Sequence, residues 1–405
     1  MFSSQKIRMR PPLPVQTVSV QGSVGTGPNA DGRVPEISQL NSLAVQSLNS
    51  FFDEKERLFC QRIILTRHGF RREKTSRTRT MIALLGLQRL VESGATHPFD
   101  VAAIQDAILK DTSWVASAGD LGLLTWFTAI CAPEKLSAVL KGFDLDGALD
   151  TCVDGRQGHT QALAWFLAGI AHARQARAQT HADLTDVAVT AYRLLLSNQS
   201  ENGIFGHRAF TRFVREIPSS RFGTFADQMF AVYALTTFAQ AFEIEEPLEF
   251  ALNCANAICA LQGEMGQWWF LYDKRRGCVV QRYPVCSAHQ AGTGPTALLA
   301  LEEATSQSFH GAVWNGLSWI AANNELGVDL RSLDQALIWD SIETQRRITR
   351  HWETACSCLH ISAPLVKTLR IRYEARPDHF GWLLYAFGNF GLPNRGISTT
   401  TAKIH

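Results

Sequence analysis

The chain has 405 residues, of which 46% are hydrophobic and 19% are charged, and its formal net charge is +2. This composition is that of an ordinary globular protein. A net charge so close to zero creates no strong field that would attract nucleic acid or an anionic membrane. No apolar run approaches the ~20 residues that a membrane span needs. We therefore predict neither a nucleic-acid partner nor stable insertion into a membrane.

The N-terminal segment, residues 1–40, is rich in Gly, Ser, Pro and Val and shows no helical period. Such a segment is typical of a disordered or loosely attached tail. It also lacks the apolar core of a signal peptide, which predicts a cytoplasmic protein. The nine cysteines include no CxxC pair, and Cys131, Cys254 and Cys259 lie among apolar residues. They are interpreted as buried free thiols rather than as a disulfide framework.

The rest of the chain is predicted to be one helical domain, residues 41–395, followed by a short tail, residues 396–405. After a charged amphipathic segment, Leu43–Leu65, six segments are apolar around their whole circumference, which is typical of helices buried on every side. These segments are Thr80–Leu90, Asp120–Ile130, Thr160–Ala171, Phe225–Ala239, Thr293–Ala304 and His379–Phe390. More amphipathic helices lie between them, such as Ala182–Leu196, Pro247–Leu261 and Ala312–Ala322. This alternation predicts an all-α fold, an α/α toroid with about six inner and six outer helices.

A short repeat supports this architecture. An apolar helix is followed by Gln or Asn, then three residues, then Gly and usually an aromatic residue. A glycine that adopts a left-handed conformation ends a helix, and the amide can bond the carbonyl groups freed there. The aromatic side chain is expected to pack under the next helix. The copies are Gln199–Gly203–Phe205, Gln262–Gly266–Trp268 and, more weakly, Asn323–Gly327.

This repeat resembles the QW motif of the terpenoid cyclase and protein prenyltransferase superfamily. Similar turns occur in the six-hairpin glycosidases and sugar epimerases, which share the toroid. The resemblance covers roughly Ala182 to Gly327. It implies the fold much more than the chemistry.

The candidate site is the mouth of the toroid, because the inner helices point the same way and their N-termini gather there. Helix N-termini present free N–H groups and a partial positive charge, which suit anionic or hydroxyl-rich ligands. Arg77 and Arg79 stand at the start of the first inner helix, and Asp120 and Asp378 are also good helix caps. The predicted rim residues are Asp120, Arg156, His159, His207, Asp227, Gln228, His289, Gln290, Arg376, Asp378 and His379.

A β-hairpin is predicted over this mouth. Gly266–Asp273 and Cys278–Val285 are β-prone runs on either side of the turn Lys274–Gly277, and the second run leads to His289. The hairpin carries Trp268, Trp269, Tyr272 and Tyr283. Paired tryptophans beside polar groups suit stacking on a sugar, stabilisation of a carbocation, or simple packing of the hairpin onto the ring.

Several motifs of the families that this sequence resembles are absent from it. The string Asp144-Leu145-Asp146-Gly147 lacks the last carboxylate of the DxDD motif of type II terpenoid cyclases, and no DDxxD string for magnesium is present. Cys286 and His289, or Cys356, Cys358 and His360, do not form a complete zinc ligand set. We therefore predict no metal and no other cofactor. The segment Leu330–Tyr373 breaks the helical rhythm, and one interpretation is an insertion that covers the mouth.

The leading functional hypothesis is an enzyme that acts on a sugar or polysaccharide, so the partner is a small molecule or an oligosaccharide. Two chemistries remain open. Asp227 and Asp378 would form an acid/base pair for glycoside hydrolysis. Alternatively, His289 or His379 with Tyr283 would remove and return a proton beside a carboxylate, as in lyases and epimerases.

The alternatives are an isoprenoid cyclase or transferase, and a toroid that binds a glycan or a protein without catalysis. The first would use Asp227 or Asp120 as acid and the arginines Arg77, Arg79 or Arg156 for diphosphate. The missing Asp-rich motifs count against it. The second would need none of the acid/base residues.

Overall fold

The computed structural model describes residues 18–20, 35–153, 159–176, 184–208, 218–345 and 367–389. Helices and strands are numbered here in chain order. Six helices form an inner layer, and five of them are buried along most of their length. The inner helices are α2 (Arg77–Glu92), α4 (Ala118–Cys131), α7 (Thr160–Gln175), α10 (Phe225–Phe242), α12 (Gly294–Thr305) and α14 (Pro377–Phe387).

The inner helices close into a ring. Each packs against the next along the chain, and α14 packs against α2, so that the last inner helix contacts the first. A π-helical turn, His289–Thr293, precedes α12 and joins it to α14. The predicted α/α toroid is therefore confirmed.

An outer layer covers this ring. Each inner helix has an outer partner packed against it, and α1 fills this place for α14. The outer helices are α1 (Ile37–Phe51), α3 (Val101–Leu109), α5 (Leu136–Lys141) with α6 (Leu145–Val153), α8 (Leu184–Leu196), α11 (Glu246–Ala260) and α13 (His310–Ile320). One further turn of helix, α9 (Pro218–Arg221), lies before the fourth inner helix. Within the described part, no helix combines the length and the hydrophobicity that crossing a membrane requires.

The repeated turn has a clear structural role. Gln199 Nε2 donates to the carbonyl of Gly203 (2.9 Å) and to that of Phe250 in α11 (2.9 Å). Gln262 makes the same pair of bonds, to Gly266 O (3.0 Å) and to Ala312 O in α13 (2.9 Å). Each glutamine therefore ties its own turn to the next outer helix, so the repeat fixes the spacing of the outer layer.

The glycines of the repeat have left-handed backbones, as predicted, with φ of 78° at Gly203 and 91° at Gly266. Their position differs from the prediction, because α8 ends at Leu196 and Gly203 closes a separate turn with a bond to Ser200 O (2.9 Å). A Cβ atom at Gly203 would lie 2.6 Å from Asn253 O, and one at Gly266 would lie 2.1 Å from Asn315 O. Glycine is needed there by the close approach of the next outer helix as well as by the backbone.

Short antiparallel strands occur around the mouth, and the predicted hairpin is part of one sheet. Strands β6 (Phe222–Thr224), β7 (Leu271–Asp273) and β8 (Cys278–Gln281) pair in that order, with the turn at Lys274–Gly277. A second sheet contains β4 (Ile63–Thr66), β5 (Gly69–Arg72) and β14 (Glu374–Ala375). Two strand pairs are β2 (Phe52–Asp53) with β3 (Leu58–Phe59), and β10 (Arg331–Ser332) with β11 (Leu337–Ile338).

A four-stranded sheet, the largest among the described residues, was not predicted. It has the order β1 (Val18–Val20), β13 (Lys367–Arg372), β12 (Ser341–Thr344) and β9 (Val285–Cys286). The segment that breaks the helical rhythm thus supplies strands to this sheet. Residues Val18–Val20 of the predicted tail form an edge strand of this sheet. Helix α1 begins at Ile37, which is also inside the predicted tail. The amphipathic segment Leu43–Leu65 is only partly helical, since α1 ends at Phe51 and strands follow.

Candidate active site

A cavity of about 350 Å³ opens at the predicted mouth of the ring. Four of the six inner helices, α2, α7, α10 and α14, line it with residues from their first two turns. The π-helical turn before α12 and the segment between β11 and β12 contribute as well. The charged and imidazole side chains in its lining are Arg79, His289, Asp340, Arg376, Asp378 and His379. Five of these six were singled out from the sequence. Asp340 was not.

Short polar residues start the inner helices around this mouth. Ser117 Oγ accepts from Asp120 N (3.1 Å), and Asp120 in turn accepts from the Ser117 hydroxyl (2.8 Å). Thr224 and Asp227 form a reciprocal capping box at the start of α10. Such caps satisfy N–H groups that the first helical turn leaves free. Asp120 therefore supports a helix start, and it does not line the cavity.

Two histidines, His289 and His379, line the cavity. Burial lowers the pKa of His289 to about 4, and the neighbouring His379 lowers it further. Burial likewise lowers the pKa of His379, although Asp378 and Asp340 oppose the shift. Nδ1 of each ring is buried and has no hydrogen-bond partner among the described residues. Both imidazoles are therefore neutral near pH 7.

The charges of the cavity lining balance. Arg79 pairs with Asp378, and Arg376 lies near Asp340, with 3.5 Å between Nε and Oδ1. Burial acts to raise the pKa of Asp378, but the nearby Arg79, supported by His379 and Arg376, outweighs it and holds that pKa below its ordinary value. Asp378 is thus ionised at neutral pH and is poorly suited to act as a general acid.

The variant Arg79→Gln tests this electrostatic pairing. A depressed carboxyl pKa contributes stability that is present above the ordinary value of 3.8 and is lost as the pH falls through the lower folded-state value. Removing Arg79 takes away the main lowering charge, so we expect a loss of about 1–3 kcal/mol in the free energy of unfolding at pH 7. Urea unfolding at pH 7, 4.5 and 3 should show that loss shrinking as the pH falls. In the double variant Arg79→Gln/Asp378→Asn the pH dependence should disappear, and an equal loss at all three pH values would contradict the pairing.

Aromatic side chains form the floor of the cavity. Trp165 meets Phe230 edge to face (5.3 Å between ring centroids), and Phe230 packs on Trp382 (5.3 Å). Trp165 Nε1 is buried without a hydrogen-bond partner among the described residues. An aromatic floor under polar walls suits the apolar face of a sugar ring.

Sequence reasoning missed this floor, although a signal for it exists. Four inner helices and the π-helical turn before α12 each line the cavity with a residue near their start and with the residue four positions later. The pairs are Thr78/Ile82, Gln161/Trp165, Ala226/Phe230, His289/Thr293 and Asp378/Trp382. Residues four apart lie on one face of a helix, one turn deeper. Adding four to the predicted rim position Asp378 gives Trp382, whereas Trp165 and Phe230 follow Gln161 and Ala226, which were not predicted as rim residues.

Below the floor the ring is filled. Tyr233 bonds both His172 (2.9 Å) and Tyr385 (2.7 Å), and Trp126 stacks on Tyr233 (4.8 Å). Burial lowers the pKa of His172 to about 3. These side chains close the ring below the cavity, so the described residues form a cup rather than a channel.

A second cluster of predicted residues lies beside the cavity. His207 Nδ1 lies 2.9 Å from Asp227 Oδ2, and the rings of His207 and His159 are 4.8 Å apart. The bond to Asp227 raises the pKa of His207, whereas burial lowers that of His159. Asp227 is fully buried and also accepts from Thr224 N (2.8 Å) and Thr224 Oγ1 (2.7 Å). Asp227 is therefore arranged to orient His207, and it does not line the cavity.

The amides predicted as ligand groups serve the fold instead. Gln228 donates to Phe205 O (2.8 Å) and accepts from Phe205 N (2.8 Å). In the orientation that satisfies both ends of its amide, Gln290 accepts from Trp268 N (3.1 Å) and donates to Gly266 O (2.9 Å). Each of these side-chain amides bonds a backbone N–H and a backbone carbonyl of a repeat turn, so neither is available to a substrate.

The aromatic residues of the hairpin are also placed away from the cavity. Trp268 is fully buried and packs on Phe225 (5.2 Å). Trp269 lies under the Arg282 guanidinium (5.2 Å), and the Tyr283 hydroxyl donates to Glu325 (2.9 Å). The third interpretation of the tryptophans, packing of the hairpin onto the ring, is the one that the structure supports. Tyr283 is accordingly not positioned to share a proton with His289 or His379.

Arg156 lies outside the described residues, as do Cys356, Cys358 and His360. Cys286 and His289 both line the cavity. Among the residues that the structure describes, no group of three or more His, Cys, Asp or Glu side chains is arranged to hold a metal ion.

Three solved structures share this fold over nearly their whole length. A sugar epimerase from a ruminal bacterium aligns with a TM-score of 0.60 and 8% identity, covering 88% of this chain and 99% of that chain. Cellobiose 2-epimerase from Bacillus thermoamylovorans B4167 aligns with a TM-score of 0.58 and 9% identity, covering 87% and 99%. A glycosyl hydrolase of family 88 from Bacteroides vulgatus aligns with a TM-score of 0.56 and 9% identity, covering 87% and 97%. At such low identity the likeness establishes the α/α toroid and no more.

The sequence matches no protein-family model and no curated protein.

Proposed function

We propose that this protein is a sugar-acting enzyme that removes a proton from a carbon next to a carbonyl or carboxylate group, as epimerases and lyases do. The observation that carries the proposal is the pair His289 and His379. Both imidazoles line one cavity, and burial lowers the pKa of both. A neutral imidazole that borders a substrate cavity is a competent general base at neutral pH.

The cavity fits hydrolysis by two carboxylates less well. That mechanism needs one carboxyl group to stay protonated so that it can act as the acid. Asp378 has a lowered pKa because of Arg79, and Asp227 is held by three hydrogen-bond donors outside the cavity. The acid/base pair considered from the sequence, Asp227 with Asp378, is therefore not arranged for this reaction.

The isoprenoid alternative also has less support. A cavity for a carbocation is expected to be lined by apolar and aromatic groups. Here the aromatic floor lies beneath walls that carry two arginines, two aspartates and two histidines. Guanidinium, carboxylate and imidazole groups together suit a ligand with many hydroxyl groups. The aligned structures are those of a sugar epimerase, a cellobiose epimerase and a glycosyl hydrolase, which agrees with a sugar as substrate.

The test is proton exchange with solvent. The full-length protein is incubated in D2O with two groups of substrates, neutral reducing disaccharides and uronic-acid oligosaccharides, and products are analysed by NMR and mass spectrometry. We expect loss or exchange of one carbon-bound proton next to the carbonyl or carboxylate carbon. Cleavage of a glycosidic bond by water, with no carbon–hydrogen exchange and no unsaturated product, would favour the hydrolase. Saturable binding of these sugars without any reaction would favour a non-catalytic toroid.

A further inference from the structure

We propose that a second pocket, between the outer helices α1 and α3, is a carbohydrate-binding site for a neutral sugar residue of the glycan on which the enzyme acts. This assignment rests on the proposed function, because it takes the substrate to be a sugar. The pocket, called here the outer pocket, has a volume of about 410 Å³, within the ~300–1,000 Å³ that is typical of ligand sites. It shares no lining residue with the candidate active site. Its lining residues are Asn49, Phe52, Glu54, Arg57, Pro98, Phe99, Asp100, Ala103 and Ile104.

One wall of the outer pocket is aromatic. Phe52 and Phe99 meet edge to face, with 5.4 Å between their ring centroids. Both rings also pack on Phe59, at 5.3 Å from Phe52 and 5.2 Å from Phe99. Phe59 is fully buried, so the two rings that border the pocket are supported from behind. A fixed aromatic wall suits the apolar face of a sugar ring.

Polar side chains without partners border the same pocket. The amide of Asn49, the carboxylate of Glu54 and the guanidinium of Arg57 are exposed, and none of them makes a hydrogen bond or an ion pair with the described residues. Asp100 differs, because its Oδ1 accepts from Ala103 N (3.1 Å) at the start of α3. A carboxylate accepts, a guanidinium donates and an amide does both. Together these groups match sugar hydroxyl groups, which donate and accept as well.

The turn between β2 and β3 fixes where Arg57 stands. Asp53 Oδ1 accepts from Lys55 N (3.0 Å) and Glu56 N (2.9 Å), and Asp53 O accepts from Arg57 N (2.7 Å). Arg57 has a left-handed backbone, with φ of 54°. The turn alone would favour glycine at this position, so the backbone does not account for the arginine. Its side chain instead contributes the only guanidinium among the residues that line the outer pocket.

The charges of the outer pocket favour a neutral ligand. Glu54 and Asp100 carry two negative charges, whereas Arg57 carries one positive charge. A carboxylate or phosphate group on the sugar would add to an excess of negative charge, which costs free energy. A neutral sugar residue adds no charge and can still use all three side chains.

The wall behind the outer pocket continues into the wall of the candidate active site. Phe59 N donates to Thr80 Oγ1 (2.9 Å), and Phe59 O accepts from Ser76 N (2.9 Å). Ser76 lines the active-site cavity, as does Gln61, two residues beyond Phe59. One short segment therefore contributes to both pockets. A sugar residue held in the outer pocket would raise the effective concentration of the rest of its glycan at the mouth.

The first test measures binding without any reaction. In the variant Ala226→Trp a large side chain fills the candidate active-site cavity, which Ala226 lines, so sugar binding that remains lies elsewhere. Gln161→Trp, from α7, serves the same purpose if Ala226→Trp does not fold. Saturation-transfer difference NMR is recorded with neutral tetrasaccharides of glucose, mannose, galactose and xylose, and with tetragalacturonate. We expect a neutral tetrasaccharide to bind, and tetragalacturonate to bind more weakly. No binding of any neutral tetrasaccharide, or tighter binding of tetragalacturonate, would overturn the proposal.

Variants of the outer pocket locate this binding. Adding Arg57→Gly and Glu54→Ala to Ala226→Trp should lower the affinity by about 10- to 100-fold, since two charged hydrogen-bonding groups are lost. Glycine suits the left-handed backbone at this position, so circular dichroism should show a folded protein. Lys55→Ala is the matched control, because Lys55 is exposed in the same turn and does not line the pocket. An affinity unchanged by Arg57→Gly and Glu54→Ala would place the binding elsewhere and overturn the assignment.

The second test uses the exchange assay on the full-length protein. Arg57→Gly with Glu54→Ala should raise KM for a soluble neutral polysaccharide by more than KM for the disaccharide of the same sugar, with kcat little changed. An equal change in both KM values would mean that the outer pocket does not hold the substrate. If the natural chain catalyses no exchange, the proposed function fails, whereas the NMR experiment still decides whether the outer pocket binds a neutral sugar.

Discussion

Replacing His379 with glutamine should lower the rate of carbon–hydrogen exchange by about 10²–10⁴-fold, the largest loss expected of any single change in the cavity. Glutamine has a similar size, and its amide can approach Asp340, whose Oδ1 lies 3.3 Å from His379 Nε2. It has no lone pair basic enough to accept a proton from carbon. The side chain is 7% exposed, so the substitution leaves little new space. The measurement is the rate of deuterium incorporation at saturating sugar.

Two comparisons make this result specific. His68→Gln changes an exposed histidine in the β4–β5 turn and should leave the rate unaltered. His289→Gln keeps a hydrogen-bond donor in the cavity, so we expect it to retain more activity than His289→Ala. Circular dichroism and the thermal midpoint should show that all of these variants remain folded. A folded His379→Gln protein with the full rate would exclude this residue as the base.

The location of the site follows from helix geometry, and it could be predicted before any coordinates. Once six buried helices are arranged in a ring, the residues at their starts must share one end. His289, Arg376, Asp378 and His379 stand at such starts, and all four line the cavity. Trp382 follows by the same geometry, one turn beyond Asp378, whereas Trp165 and Phe230 lie one turn beyond Gln161 and Ala226, which were not predicted from the sequence.

Asp340 could not be found in this way. It belongs to a segment of short strands whose partners are distant in sequence, such as β13 and β9 for β12. Strand pairing of this kind leaves no period in the sequence, because it depends on contacts made after the ring has formed. The carboxylate therefore reaches His379 through tertiary structure alone, from a distance of 39 positions along the chain.

The packing of the repeat turns explains why some residues that were predicted from the sequence to bind the substrate lie away from the cavity. Gln228, Gln290 and Trp268 stand out in the sequence because they recur beside inner-helix starts. They recur because each turn of the repeat must satisfy its own backbone and bury its own aromatic residue. Repetition along the chain thus indicates packing, whereas the cavity is formed by residues that differ from one inner helix to the next.

The turn glycines should be among the most sensitive positions for stability. For Gly266→Ala we expect a loss of about 1–2 kcal/mol from the left-handed backbone and about 1–3 kcal/mol more from the collision with the neighbouring helix. The second contribution arises because the new Cβ would lie 2.1 Å from Asn315 O in α13, which Gln262 holds close through Ala312. The expected total of roughly 2–5 kcal/mol is a large part of the ~5–15 kcal/mol that stabilises a typical domain. Urea unfolding gives the measurement.

Gly327 and Gly203 supply the matched comparisons. Gly327 has a similar left-handed backbone, with φ of 61°, but no described atom lies within 4 Å of the place that a Cβ atom would take there. Gly327→Ala should therefore show only the backbone loss of about 1–2 kcal/mol. Gly203→Ala should fall between the two, because its Cβ would lie 2.6 Å from Asn253 O. Equal losses in all three variants would mean that backbone conformation alone requires these glycines, and that the close approach of the outer helices adds nothing.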